Sequence, residues 1–281
     1  MKKHKIRNII LLLLGFLFIS TIIWVVWGNN ALTVSEFDIE SDMIPKSFDG
    51  FRIIQISDLH NAEFGEQNHD LLEKIRSAKP DIIVITGDLV DCRRTDCDIA
   101  IRFAEEAVKI APTYYIPGNH ESRIEEYALL QSGLTDAGVQ ILEDDTCKIT
   151  RNEDAIHLIG LIDPDFRLPE ERKETSSTLQ DLTDPDSYNI LLAHRPEGYP
   201  IYKDCGINLA FTGHAHGGQF RLPWIGGLYA PGQGFLPEYD AGLYTYGNTN
   251  MIVSRGLGNS IFPFRFNNQP EIIVAILKSA Q

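Results

Sequence analysis

Aspartate, asparagine and histidine recur along this chain in short clusters, each closing an apolar run. "SDLH" supplies Asp58 and His60, "TGDLVD" supplies Asp88, "PGNHE" supplies Asn119 and His120, His194 follows "NILLA", and "TGHAHGGQ" supplies His214 and His216. Imidazole, carboxylate and one amide oxygen make a hard-to-borderline donor set that suits Mn, Fe, Zn or Co, and a carboxylate such as Asp88 can bridge two ions. Singly, each of these residues is an ordinary turn or cap residue. Jointly they are not, because five of the eight histidines sit at such run ends, while His4, His69 and His157 lie elsewhere. The D-x-H and H-x-H spacings put both side chains on one side of an extended chain. Gly118 lets the backbone turn so that Asn119 and His120 face the same place. Two cations sharing an oxygen would lower the pKa of a bridging water and neutralise phosphoryl charge during in-line attack. The G-x-S-x-G and P-loop patterns are missing, which leaves a serine hydrolase or a nucleotide cradle without support.

The elements that must position these groups are legible as Ile- and Val-rich strands at Phe51 to Ser57, Asp81 to Thr86, Thr113 to Ile116, Ala155 to Leu161, Asn189 to Ala193 and Ile207 to Thr212, with more near Met251 and Glu271. Helical periodicity appears in "HDLLEKIRSA", "DIAIRFAEEAVKI" and "SRIEEYALLQSGL". Strand, helix, strand at this spacing predicts βαβ units and a largely parallel sheet, and the strand-rich second half predicts a two-sheet sandwich flanked by helices. Ligands of such sheets bind at the carboxyl ends of strands, where the polar clusters lie. Beyond His216 runs a Gly- and Pro-rich segment carrying Phe220, Trp224, Ile225, Phe235 and Leu236, and a second aromatic group, Phe262, Phe264 and Phe266, lies near the chain end. These side chains either pack onto the sandwich or line an entrance that faces a bilayer.

Residues 9–27 carry no charge and approach the ~20 residues a helix needs to cross a membrane. We therefore expect a cytoplasmic basic tail over 1–8, a transmembrane signal-anchor helix over 9–27, a linker over 28–47 and a catalytic domain over 48–281. Lys2, Lys3, Lys5 and Arg7 precede the span, whereas Glu36, Asp38, Glu40 and Asp42 follow it, which predicts an N-terminus inside and the domain outside the cytoplasmic membrane. A cleaved signal peptide is the rival, but the apolar run is long and lacks an A-x-A site. After Arg7 the chain holds 21 Lys and Arg against 39 Asp and Glu, an acidic body that argues against nucleic-acid binding. In an oxidising compartment Cys92 and Cys97 are close enough to form a disulfide, with free thiols as the alternative.

In order, D-x-H, G-D, G-N-H-E, H and G-H-x-H resemble the calcineurin-like metallophosphoesterase family over Asp58 to His216, and the N-terminal span resembles a membrane-anchored bacterial branch. The resemblance implies a four-layer α/β/β/α sandwich of two mixed sheets. It implies one transition-metal ion on Asp58, His60, Asp88 and His216, and a second on Asp88, Asn119, His194 and His214. It implies hydrolysis of a phosphoester or diphosphate bond by a metal-bridging hydroxide, with His120 protonating the leaving oxygen or stabilising developing charge. Asp91 matches the aspartate of the family's G-D-x-V-D-R-G motif and would orient His120, although Cys92 stands at the arginine position. Arg93, Arg94 and Arg195 are weaker candidates for holding phosphate. The expected substrate is a phosphate ester, lipid-linked or of the cell envelope. The alternatives are a phosphomonoesterase of soluble esters, a metal-binding scaffold without turnover, and a metal store or sensor.

Overall fold

The computed structural model describes residues 2–167 and 174–281. It opens with the helix α1 (Lys2–Asn30), whose apolar side chains are exposed along its length, as suits a lipid surround and not a protein core. The helix extends beyond the expected span at both ends. The segment expected to be a linker is instead structured, because β1 (Thr33–Ser41) begins two residues after α1 and pairs in parallel with β16 (Glu271–Ser279).

Two βαβ units follow, built from β2 (Arg52–Ile56), α2 (His69–Ser77), β3 (Ile82–Thr86), α3 (Cys97–Ala107) and β4 (Thr113–Ile116), and then α4 (Tyr127–Ala137) and the short β5 (Gln140–Ile141). These strands complete a first mixed sheet in the order β1-β16-β2-β3-β4-β5, antiparallel only at β16 and β2. Next come β6 (Asp145–Arg151), β7 (Asp154–Gly160), α5 (Thr175–Leu182), β8 (Asn189–Leu192), α6 (Tyr199–Asp204), β9 (Leu209–Thr212), β14 (Gly242–Tyr246) and β15 (Thr249–Val253). Their strands form the second mixed sheet, ordered β14-β15-β9-β8-β7-β6. Between β9 and β14 lie two hairpins, β10 (Arg221–Leu222) with β11 (Gly226–Gly227) and β12 (Tyr229–Ala230) with β13 (Gly234–Phe235).

Alternation along the strands sorts the apolar residues into three layers of core. Ile54 and Ile56 meet α2, α3 and α4 through Ile75, Phe103 and Leu130. Ile53 and Val84 face the other way and meet Leu192, Leu209 and Phe211 of the second sheet. That sheet's outer face, with Leu191 and Ala210, packs against Leu179 and Tyr202 of α5 and α6. The result is helix, sheet, sheet, helix, with the central strands covered on both faces, which is why they read as unbroken apolar runs. Gln55 is the polar exception between the sheets. Its Nε2 donates to Thr86 Oγ1 and to the Thr212 carbonyl at 2.9 and 2.8 Å, pinning the ends of β2, β3 and β9 together where the polar clusters emerge.

Candidate metal centre

All seven expected ligands are buried at one end of the sandwich, in the loops that leave β2, β3, β4, β8 and β9. Strand alternation does not bring them together. Asp58, His60, Asp88, His214 and His216 each adopt a left-handed backbone with φ between 46° and 64°, a conformation that costs of order 1–3 kcal/mol and gathers at functional sites. Side-chain convergence is thus built by tight reversals after the strands. Gly118 contributes space, since a Cβ there would collide with the Asp88 carboxylate and crowd the His194 ring. Gly213 does the same against Ser57 and Asp58.

The donors fall into two groups around Asp88. In one, His60 Nε2 lies 3.2 Å from His216 Nε2, 3.6 Å from Asp88 Oδ2 and 3.9 Å from Asp58 Oδ1, with His216 Nε2 3.5 Å from Asp58 Oδ1. In the other, His194 Nε2 lies 3.2 Å from Asn119 Oδ1, 3.2 Å from His214 Nδ1 and 3.3 Å from Asp88 Oδ2. Ring nitrogens facing one another at such range are repulsive as bare lone pairs and fit a cation placed between them. His194 Nδ1 lies 2.7 Å from the Thr86 carbonyl and must donate there, which leaves Nε2 as the free lone pair in the neutral ring. The remaining Asp58 contacts hold its carboxylate in place: Ser57 Oγ donates at 2.6 Å, and the His214 N–H at 3.1 Å.

Burial drives the site's electrostatics. It lowers His60 to about 3 and holds His214 and His216 well below the ordinary histidine range, so these rings stay neutral and able to ligate. It raises Asp58 to about 6, with Asp88 adding to the push. Burial also opposes ionisation of Asp88 and His194, but their mutual attraction prevails, holding the carboxyl well below and the imidazole well above the usual values. Without a metal this pair therefore holds the cluster's proton.

His120 stands beside the first group, its ring centroid 4.5 Å from that of His60. Its Nδ1 accepts the Cys92 N–H at 3.1 Å, so Nε2 carries the proton of the neutral ring, 3.3 Å from Ser260 Oγ and 4.0 Å from Asp88 Oδ2. Asp91 comes no nearer than 3.7 Å to His120 Nδ1 and is instead bonded to Arg93, through the backbone N–H at 2.9 Å and the guanidinium at 3.1 and 3.2 Å. Arg93 thus borders the site, its Nη2 3.5 Å from Ser260. Arg94, largely exposed, pairs with the same Asp91 at 3.6 Å, and Arg195 is clamped by Asp163 at 2.8 and 2.9 Å and by Asp165 at 3.0 Å. Cys92 and Cys97 are free thiols, as are Cys147 and Cys205.

Three further groups support the site. The fully buried Glu121 accepts the N–H groups of Asp88, Val90 and Gly118, tying the β3 loop to the β4 loop. Ser260 reaches His120 from a loop late in the chain. Buried Arg265 is held by the carbonyls of Arg255 and Gly258, with Nη2 3.3 Å from His216 Nδ1. Only the position of Glu121 inside "GNHE" hinted at a role, since the other two lie far from any cluster in sequence.

Comparison with known proteins agrees with this geometry. The family model for calcineurin-like phosphoesterases matches residues 51–218. The uncharacterized metallophosphoesterase YkuE of Bacillus subtilis is 33% identical over 254 residues, covering 89% of this chain and 87% of that one. Phosphodiesterase YaeI of Escherichia coli is 28% identical over 232 residues, covering 79% and 80%. A transmembrane protein with metallophosphoesterase domain from Danio rerio is 28% identical over 262 residues, covering 88% of this chain and 57% of that protein. A buried Asp, Asn and His cluster at the loop ends of a two-sheet sandwich, a matching family model and a relative shared along most of both chains place this protein in the calcineurin-like phosphoesterase family, metal-dependent hydrolases of phosphoester bonds.

Proposed function

We propose that the protein is a two-metal phosphoesterase, held at the cytoplasmic membrane by α1, that cleaves a lipid-linked phosphoester or diphosphate on the outer side. The observation that carries the metal reading is Asp88 Oδ2, which lies within 3.6 Å of His60 and 3.3 Å of His194 and so belongs to both donor groups. Asp58, His60, Asp88 and His216 would hold one ion, and Asp88, Asn119, His194 and His214 the other. Bound there, such ions supply Lewis acidity and a water of lowered pKa. The protein's own part is positioning and hydrogen bonding. His120, with its Nδ1 occupied by the Cys92 N–H, presents its Nε2–H as a hydrogen-bond donor to the charge that develops on a leaving oxygen. Asp91 supports that ring by charge at 3.7 Å and fixes Arg93 beside Ser260, where a guanidinium can meet a phosphate. The charge pattern around α1 supports the outward orientation. The aromatic loops beside the site support a substrate with an apolar tail.

A panel of nucleotide, cyclic nucleotide, sugar and lipid phosphoesters assayed with the full chain in detergent micelles and Mn²⁺ tests this reading. Hydrolysis with preference for lipid-linked esters is expected. Preference for soluble esters would remove the lipid substrate, and no turnover of any ester by the metal-loaded protein would favour a binding role.

A further inference from the structure

Three exposed apolar stretches surround one side of the metal centre. The first hairpin carries Trp224 and Ile225 at its tip, and Trp224 is 102% exposed. The second carries Phe235 and Leu236, 84% and 64% exposed. The third is the loop with Ile261, Phe262 and Phe264. They form one surface. Phe220 meets Phe262 and Phe264 edge-on at 5.6 and 5.5 Å between centroids, the Leu228 N–H donates to the Phe220 carbonyl at 2.9 Å, and Tyr229 of the second hairpin lines a slot together with Ile261 and Phe262. Such a patch on a soluble face would be a liability, which marks it as an interaction site.

The span α1 ends against this same surface. Trp24 stands edge-on to Phe266 at 4.9 Å, and Phe266 is bridged to Phe220. Asn29 Oδ1 accepts the Arg265 N–H at 2.7 Å while its Nδ2 donates to the Arg265 carbonyl at 3.0 Å. Trp24 lies six residues before the helix end, about 9 Å at 1.5 Å per residue, so Phe266 and its neighbours share the depth at which a span leaves hydrocarbon for headgroups. Charge points to the same occupant. Residues 220–236 and 261–268 contain no Asp or Glu, in a chain with 39 of them, and the two cations there are committed, Arg221 to Asp240 at 3.0 Å and Arg265 to buried carbonyls. An anionic membrane surface tolerates this composition, and wet aromatic loop tips gain by entering it.

We infer that these three loops form a collar that beds into the outer leaflet of the bilayer crossed by α1, giving the catalytic domain a second attachment beside its anchor. This rests on α1 spanning a membrane with the domain on the outer side, and is independent of the proposed catalysis. Behind the collar a slot of about 50 Å³, lined by Ala215, His216, Gln219, Tyr229, Ser260 and Phe262, leads from the apolar rim to a candidate metal ligand and to the serine that touches His120.

The chain has three tryptophans, so a Trp24→Phe, Trp27→Phe variant of the full chain leaves Trp224 as the only indole. Reconstituted in lipid nanodiscs, it should show blue-shifted emission that is lost when the lipids carry bromine on the upper acyl chain, and little quenching by aqueous iodide. Emission typical of water, unaffected by brominated lipid and quenched by iodide, would overturn the collar, and would equally mark a surface kept free for a protein partner. The unaltered chain gives a second measurement, photolabelling with a lipid that bears a diazirine on its acyl chain. Adducts are expected in peptides covering 220–236 and 261–266 as well as in α1, and adducts confined to α1 refute the proposal. Neither experiment reads hydrolysis, so a catalytically silent protein would still decide it.

Discussion

Exchanging Glu121 for glutamine keeps the side chain's length and one of its oxygens, and so isolates what the second oxygen and the charge contribute to the metal centre. In the native protein Oε2 accepts the Asp88 and Gly118 N–H groups at 2.9 and 2.8 Å, and Oε1 accepts that of Val90 at 3.2 Å. A glutamine whose oxygen stays with Asp88 and Gly118 turns its NH₂ toward the Val90 N–H. One buried donor then loses its acceptor, at a cost of about 1–3 kcal/mol. Glu121→Ala strands all three donors, roughly 3–9 kcal/mol, a large share of the roughly 5–15 kcal/mol that holds an ordinary domain together. The charge adds a pH dependence. Burial first, and the Asp88 carboxylate second, raise the Glu121 carboxyl from 4.5 to about 8. With the folded-state value above the unfolded one, the resulting stabilisation is fully present below pH 4.5 and is lost as the pH rises through about 8. Glutamine does not titrate, so its deficit relative to the native protein should shrink across that window. Urea unfolding of the chelated proteins in micelles, followed by circular dichroism at several pH values, measures both effects. A glutamine variant as stable as the native chain throughout, or a deficit that widens with pH, would refute the reasoning.

Asp88→Ala should abolish both bound ions while His216→Ala leaves one, because only Asp88 faces both donor groups; elemental analysis of purified protein distinguishes them. Metal uptake should strengthen as pH rises, because the ion must displace the proton that Asp88 and His194 hold between them while His60, His214 and His216 are already neutral. Calorimetry in buffers of different ionisation enthalpy should register that proton's release. His120→Ala should keep full metal content and lower kcat about 10²- to 10³-fold, the usual worth of a hydrogen-bond donor aimed at developing charge. A variant with unchanged kcat would remove His120 from the chemistry.

The strands that carry the donor clusters were readable because β2, β3, β8 and β9 are buried on both faces, which leaves mostly apolar runs, broken in β2 by Gln55, that close in a polar turn. The strand β1 was not. Its residues alternate between half-buried and exposed, with Glu36, Asp38 and Glu40 on the open side, and its partner β16 lies more than 230 residues along the chain. The donor residues themselves could be read by type and order, but not how they converge. A D-x-H spacing suggests an extended chain, whereas Asp58 and His60 meet through left-handed turns that only tertiary packing enforces. Glu121, Ser260 and Arg265 escaped for a related reason: each acts by touching a loop remote from it in sequence, and no local spacing encodes such a meeting.

Between α1 and β1 stand only Ala31 and Leu32, and β1 is hydrogen-bonded into the sheet from Thr33, beside Glu271, to Ser41, beside Ser279. A domain mounted so closely has no reach and no freedom to swing. For the lipid-linked substrate proposed above, its encounters would be decided by lateral diffusion, with the concentration that matters counted per unit area of leaflet, not per volume of solution. On that proposal, cutting the chain between helix and strand would remove more than an address: it would turn a catalyst working in two dimensions into one that must search in three.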